Sequence, residues 1–190
     1  MMLSPRFTEA LAFAAELHRD QVRKGTTIPY VSHLLATASI VLEHGGGEDE
    51  AIAALLHDAV EDQGGLPTLE RIRARFGEAV AGIVHECTDA ETMPKPPWRQ
   101  RKEAYIAAIP HKSAGARLVS CADKLHNARA ILADLRQHGP ALWERFTGGA
   151  HSLWYYRALA DAFAVAGPQR LAAELERVVA EIEAEAARVA

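Results

Sequence analysis

Residues 51–62 read Ala51-Ile52-Ala53-Ala54-Leu55-Leu56-His57-Asp58-Ala59-Val60-Glu61-Asp62. Six apolar residues run on without a polar interruption, and titratable residues then take over. A helix that is apolar on every side belongs in a protein interior. Interior positions do not carry His, Asp and Glu without partners. On one continuous helix over 48–62, His57 and Glu61 are four residues apart, as are Asp58 and Asp62, so each pair sits one turn apart. His57 and Asp58 offer adjacent nitrogen and oxygen donors, able to hold one side of a divalent cation. Taken alone, a His-Asp dipeptide is more often a solvated helix end with ordinary ion pairs, so the rest of the chain decides.

Outward from this stretch the chain reads as helix after helix. Ser4-Pro5 caps and opens a first helix, with Phe7, Leu11, Ala14 and Leu17 at helical spacing. Residues 20–31 read as a loop, and Ser32 is expected to cap a second helix that stops at Gly45-Gly46-Gly47. Further helices are expected over about 67–75, 78–87, 98–108, 113–135, 142–146 and 151–166, and from Pro168 onward. In the last of these Leu171, Leu175, Val178 and Ile182 make one apolar stripe. No strand run, repeat or low-complexity linker interrupts the pattern. The expected fold is all-α, a compact bundle of eight to ten helices forming a single domain over 1–190.

Composition narrows the function classes. The 190 residues, 49% hydrophobic and 24% charged, suit one soluble domain with its own core. No apolar run is long enough to span a bilayer and the N-terminus has no apolar signal core, so a cytoplasmic protein without a membrane partner is expected. Cys87 and Cys121 form no CxxC pattern, which argues against a disulfide framework or a cysteine zinc site. With 21 Lys+Arg against 25 Asp+Glu the net charge is −4, and no nucleic-acid partner is expected.

Two other segments carry chemistry. Tyr30-Val31-Ser32-His33 sets a histidine at the start of the second helix, and Cys121-Ala122-Asp123-Lys124-Leu125-His126-Asn127 sets an aspartate in mid-helix with Asn127 one turn on. Together with Gln21-Val22-Arg23-Lys24-Gly25, the His57-Asp58-Ala59-Val60-Glu61-Asp62 run, Arg75-Phe76-Gly77 and Thr88-Asp89, they span about residues 10–135. In these motifs the chain resembles the HD-domain metal-dependent phosphohydrolases. More narrowly, it resembles the hydrolase domain of RelA/SpoT alarmone enzymes and the stand-alone small alarmone hydrolases of the metazoan SpoT homologue type. Helices from about 139 to 190 would pack on that motif-bearing core.

The resemblance implies that His33, His57, Asp58 and Asp123 bind one divalent metal, usually Mn²⁺. Two imidazoles and two carboxylates suit Mn, Fe or Zn better than Ca. Glu61 and Asp62 match the family's catalytic acidic pair. Arg23 and Lys24 match its phosphate-neutralising pair, and Asn127 its ribose- or phosphate-contacting asparagine. Lys95 is a candidate for a terminal phosphate, and Tyr30 for the base, with packing as its other reading. One of Tyr155, Tyr156 and Arg157 is expected to close over the nucleotide. The other histidines, His126 among them, show no ligand spacing and are read as ordinary packing or surface residues. The implied activity is a manganese-dependent 3′-pyrophosphohydrolase. It would convert guanosine 3′,5′-bis(diphosphate) and its pentaphosphate relative to GDP or GTP plus pyrophosphate. The same chemistry on adenosine alarmones, or on another 2′- or 3′-phosphorylated nucleotide such as NADPH, is the alternative. The sequence departs from the long enzymes at Leu34, where they have proline, and at Asp20, where they have glycine. At 190 residues it is expected to lack their synthetase and regulatory domains.

Overall fold

A computed structural model of the chain describes residues 2–89 and 96–189. Among the described residues it is all-α. The α-helices are α1 (Pro5–Leu17), α2 (Val31–Glu43), α3 (Glu48–Leu56), α4 (Ala59–Asp62), α5 (Leu66–Phe76), α6 (Glu78–Cys87), α7 (Trp98–Ala108), α8 (Ala114–His138), α9 (His151–Ala166) and α10 (Gln169–Val189). Short 3-10 turns cover Ile109–His111 and Gly139–Arg145. The expected bundle of eight to ten helices is therefore present.

Local signals account for most helix ends. The Ser4 hydroxyl accepts the Arg6 N–H at 3.2 Å and the Ser113 hydroxyl accepts the Ala116 N–H at 3.2 Å, each satisfying a backbone donor left over at a helix start. At α3 the Glu50 carboxylate reaches back to the Gly47 N–H at 2.8 Å, and Glu48, Asp49 and Glu50 all sit in the first turn, where the helix dipole favours anions. Gly77, at φ +89°, makes the sharp corner between α5 and α6 that a residue with a Cβ would resist.

Two helices organise the interior. In α3 every residue from Ala51 to Leu56 is fully buried. Its alanines let α1, α2 and α6 approach closely. The long α8 is buried at intervals from Ala116 to Leu135; it packs on α2, α3 and α6 on one side and on α9 and α10 on the other. Each buried Leu or Phe contributes about 1.5–3 kcal/mol of apolar transfer. The few buried polar groups, His33, His57, Asp123, Thr37, Ser120 and Lys112 among them, therefore stand out against an apolar background.

Three expectations are corrected. The single helix over 48–62 is broken at His57-Asp58: Asp58 adopts φ −95° and ψ −4°, and the chain rewinds for one turn as α4, with the Asp62 N–H bonded to the Asp58 carbonyl at 3.0 Å. Ser32 does not cap α2. The chain enters that helix from a backbone-paired turn, and the Pro29 and Tyr30 carbonyls already take the Ser32 and His33 N–H groups at 3.1 and 2.9 Å. The helix expected over 142–146 is a 3-10 turn over Gly139–Arg145, because Gly139 at φ +62° ends α8 and Pro140 follows at once.

Candidate active site

Four side chains from three separate parts of the chain converge below the surface. His33 comes from the first turn of α2, His57 and Asp58 from the α3–α4 break, and Asp123 from the middle of α8. The His33 and His57 Nε2 atoms face each other at 3.3 Å. Asp58 Oδ2 lies 3.0 Å from His57 Nε2 and 3.6 Å from His33 Nε2. Asp123 Oδ1 lies 3.2 Å from His33 Nε2 and 3.7 Å from His57 Nε2. An ion with bonds of about 2.1 Å sets neighbouring donors about 3.0 Å apart in an octahedral shell and about 3.4 Å apart in a tetrahedral one. Three of the five observed separations, 3.0, 3.2 and 3.3 Å, fall in that range, and the other two, 3.6 and 3.7 Å, lie just above it. His33, His57 and Asp58 form a possible metal site, with donor atoms all within 4.8 Å of one another. Asp123 closes on both imidazoles.

The break in the helix aims these donors. His57 Nδ1–H donates to the Ala54 carbonyl at 2.8 Å, which leaves the Nε2 lone pair for the cluster. His33 Nδ1 lies 2.7 Å from His126 Nδ1. When His33 presents an Nε2 lone pair, its Nδ1–H donates, so His126 must be neutral and accept. Burial and the neighbouring His33 and Arg23 push the His126 pKa down to about 4, as that role requires. Tyr30 donates its hydroxyl to Asp58 Oδ2 at 2.5 Å while its ring stacks on His18, centroids 5.2 Å apart. Asn127 donates to Asp123 Oδ1, and the Lys124 ammonium donates to Asp123 Oδ2 at 2.6 Å. Lys124 Nζ also lies over the Tyr105 ring at 4.9 Å.

Beside the cluster, a cavity of about 350 Å³ runs along α8. Arg23, Lys24, Lys102 and Lys124 line it with Tyr30, Asn127, Ile131, Phe146 and Tyr156. A second hollow of about 420 Å³ shares Lys24 and Lys102 and reaches Glu61, Asp62, Arg101 and Trp98. Four cations from the Arg23–Lys24 loop, α7 and α8 lining one cavity form a receptacle for a multiply charged anion. A larger hollow, about 540 Å³, lies between α9 and α10 away from the cluster and carries no such charge pattern.

The loop bearing Arg23 and Lys24 is held by backbone bonds. The Arg23 N–H donates to the Ile28 carbonyl at 2.8 Å and the Thr26 N–H to the Arg23 carbonyl at 3.0 Å. Gly25 occupies the third turn position at φ +73°, and a Cβ there would lie 2.9 Å from Arg145 Cδ. Gly25→Ala is expected to cost about 1–2 kcal/mol from the left-handed backbone alone. That corresponds to a melting midpoint lowered by about 2–4 °C per kcal/mol. Because the loop presents cations rather than the metal donors, KM for an anionic substrate should rise more than kcat falls. Thermal melts and steady-state kinetics of the variant check both.

Residues 10–151 match the HD domain. The chain belongs to that family. It is 44% identical over 138 residues to the guanosine-3′,5′-bis(diphosphate) 3′-pyrophosphohydrolase MESH1 of Xenopus tropicalis, covering 71% of this chain and 72% of the relative. It is 42% identical over 140 residues to human MESH1, covering 71% and 72%. Among solved structures, a metazoan orthologue of SpoT that hydrolyses ppGpp superposes with a TM-score of 0.79 at 30% identity, covering 95% of this chain and 97% of that one. A Listeria monocytogenes protein superposes with a TM-score of 0.68 at 30% identity, covering 77% and 96%.

Within this HD domain the residues singled out in the sequence fall into distinct places. His33, His57, Asp58 and Asp123 meet, and Arg23, Lys24, Tyr30 and Asn127 line the adjoining cavity. Glu61 and Asp62 line the second hollow, where Gln21 Nε2 donates to Asp62 Oδ2 at 2.8 Å. Lys95 lies outside the described residues. Tyr155 and Tyr156 face the cavity, whereas Arg157 turns away to Glu176 on α10. The reading of His126 as an ordinary packing residue is overturned by its contact with His33. Lys124, adjacent to Asp123 in the sequence, joins the site through its bond to Asp123 and its place in the cavity wall, neither of which local spacing marks. Arg101 and Lys102, with Lys95 and Arg99, belong to a run of cations that by itself reads as a solvated helix face. Instead both pair with half-buried Asp89, Lys102 at 2.7 Å, and so point into the second hollow. No described helix is long and apolar enough to cross a membrane.

Charge inside the HD cluster makes stability depend on pH. Burial disfavours charge on His57, but the Asp58 and Asp123 carboxylates outweigh it and hold its pKa well above 6.5. Against the same burial, His57 and His33 hold the Asp58 carboxyl well below 3.8. For a raised histidine the stabilisation is complete below pH 6.5 and is lost as pH climbs through the folded-state value. For His126, lowered to about 4, stability is lost as pH falls from 6.5 toward 4. Metal-free protein should thus be most stable near pH 6.5. With His57 among the ligands of a bound ion, saturating Mn²⁺ should remove the alkaline decline, because the ion would take the place of the His57 proton. Melting curves from pH 4 to 9 with chelator and with Mn²⁺ read this directly.

Proposed function

We propose that the chain is a metal-dependent 3′-pyrophosphohydrolase acting on guanosine 3′,5′-bis(diphosphate) and its pentaphosphate relative. It releases GDP or GTP and pyrophosphate, with Mn²⁺ as the working ion and Fe or Zn as substitutes. The observation that carries the reading is the placement of a two-imidazole, two-carboxylate cluster at the end of a cavity walled by Arg23, Lys24, Lys102 and Lys124. The MESH1 relatives named for this activity match over most of the chain.

His33, His57, Asp58 and Asp123 hold the ion; their donors are already gathered at suitable separations. A divalent ion bound there supplies Lewis-acid stabilisation of charge on the phosphoryl oxygens and makes water a better nucleophile at neutral pH. Tyr30, Lys124, Asn127 and His126 fix the donors' orientations through the hydrogen bonds described above. Lys24 and Arg23 neutralise the substrate's phosphates from the loop. Glu61 and Asp62 orient the attacking water and take its proton. Attack on the phosphorus attached to the ribose 3′ oxygen breaks that P–O bond; the 3′ oxygen leaves with a proton as the nucleoside hydroxyl, and pyrophosphate departs. Lys95 is assigned to a terminal phosphate by resemblance alone.

The test is product analysis of purified protein with guanosine 3′,5′-bis(diphosphate) and Mn²⁺. GDP and pyrophosphate in equal amounts are expected. Release of 5′ phosphate, or no turnover by folded, metal-loaded protein, overturns the reading.

A further inference from the structure

We propose that Asp134 selects guanine over adenine at the far end of the nucleotide cavity. The inference rests on the pyrophosphohydrolase reading and deepens it by naming the base and the residue that reads it.

Asp123, Asn127, Ile131 and Asp134 follow one another at four-, four- and three-residue steps and so share one face of α8. Eleven residues at about 1.5 Å each put the Asp134 backbone about 16 Å along the axis from that of Asp123. Helical side chains lean toward the N-terminus, and because Asp123 and Asp134 both do so the separation of their carboxylates stays close to that span. That span accommodates an ion at the candidate metal donors, a nucleoside with its 3′ phosphorus beside it, and a hydrogen bond from the base to Asp134. The far end of the cavity has the character of a base site: Ile28 and Ile131 are apolar and Phe146 offers a ring face.

Among the described residues lining this cavity, Asp134 is the one carboxylate, set against four cations. A carboxylate in a receptacle for a polyanion is repulsive unless it meets a hydrogen-bond donor. Away from the phosphates and the ribose, the substrate's donors are on the base. Asp134 is 34% exposed, and its Oδ2 is held loosely by Arg145 Nη1 at 3.4 Å. Among the described residues no hydrogen bond reaches its Oδ1. Guanine presents two adjacent donors, N1–H and the N2 amino group, which a carboxylate accepts side by side. Adenine presents a lone pair at N1, which a carboxylate repels. A site built to accept a donor edge discriminates more strongly than a site built on shape.

The experiment compares wild type with D134N and R145Q. It measures kcat/KM for guanosine and adenosine 3′,5′-bis(diphosphate). It also measures Kd by calorimetry for guanosine and adenosine 3′,5′-bisphosphate, which report on the base pocket whether or not turnover occurs. Wild type should prefer guanine by about 10–100-fold in both ratios, less than a fully buried site achieves because Asp134 is partly solvated. In D134N the amide can donate to adenine N1 and accept from its amino group, as asparagine does elsewhere on adenine edges. Guanosine values should fall about tenfold, and adenosine values should rise by a few-fold, inverting or erasing the preference. Two results overturn the proposal: no guanine preference in wild type, or a D134N change that is equal for both bases. If Asp134 serves only to anchor Arg145, D134N and R145Q will lower both substrates alike, and the proposal is overturned. Absence of hydrolysis in all three proteins would sink the activity reading, while the Kd ratios would still decide the role of Asp134.

Discussion

Replacing His57 with alanine is expected to lower kcat/KM for guanosine 3′,5′-bis(diphosphate) by about 10³-fold or more, because the ion's Lewis-acid contribution is worth several kcal/mol and each 1.36 kcal/mol is tenfold. The same variant should lose the increase in melting temperature that Mn²⁺ gives wild type, since a ligand stabilises only the state that binds it. Metal-free H57A should also melt below metal-free wild type. His57 is enclosed beside Asp58 and Asp123, and its removal leaves buried Asp123 and partly exposed Asp58 without one of their cationic partners. The three readouts separate the possibilities. A variant that melts lower yet still responds to Mn²⁺ and still turns over would show that His57 supports the core and not the ion.

Glu61→Gln and Asp62→Asn form the second large effect. Each should reduce kcat by about 10²–10⁴, the range for a positioned general base. The Mn²⁺-induced shift in melting temperature should stay close to that of wild type. Both residues sit on α4, one turn past the Asp58 donor, and line the hollow that contains Lys24 and Lys102. Neither belongs to the four-donor cluster. An amide keeps the shape and some of the hydrogen bonding but cannot take a proton at neutral pH, so KM should change little. If either variant instead raises KM sharply with kcat intact, that residue contacts the substrate and does not handle the proton.

The bundle and its central helix are legible in the sequence because the apolar pattern of residues 51–56 is sustained and punctuated by glycines. The candidate metal donors His33, His57, Asp58 and Asp123 come from the family resemblance, and the fold brings them together. Other features escape for reasons of distance and geometry. The contact between His33 and His126 joins residues 93 apart, and nothing local to either marks it. The break at His57-Asp58 is hidden because residues 51–62 are compatible with continuous helix; it is the bond from His57 Nδ1 to the Ala54 carbonyl and the turn at Asp58 that end α3. Lys102 looks like one charge in a solvated run until Asp89 is seen to fold it inward. Asp134 carries no motif at all, and its interest comes from the company it keeps in a cavity that only the folded chain defines.

The short α4 has a consequence for cooperativity. A single helical turn nucleates poorly and has no free-standing existence in water. This one is suspended between the Asp58 donor and the Gly64-Gly65 turn. Its order is therefore borrowed from its neighbours: Ala59 and Val60 are buried in the core, Gln21 donates to Asp62, and Tyr30 and His57 hold Asp58. On the proposed function, an ion held by Asp58 would add a further anchor at the start of the turn that carries Glu61 and Asp62. On that reading, occupancy of the ion site and alignment of the acidic pair would be coupled through a single turn of helix.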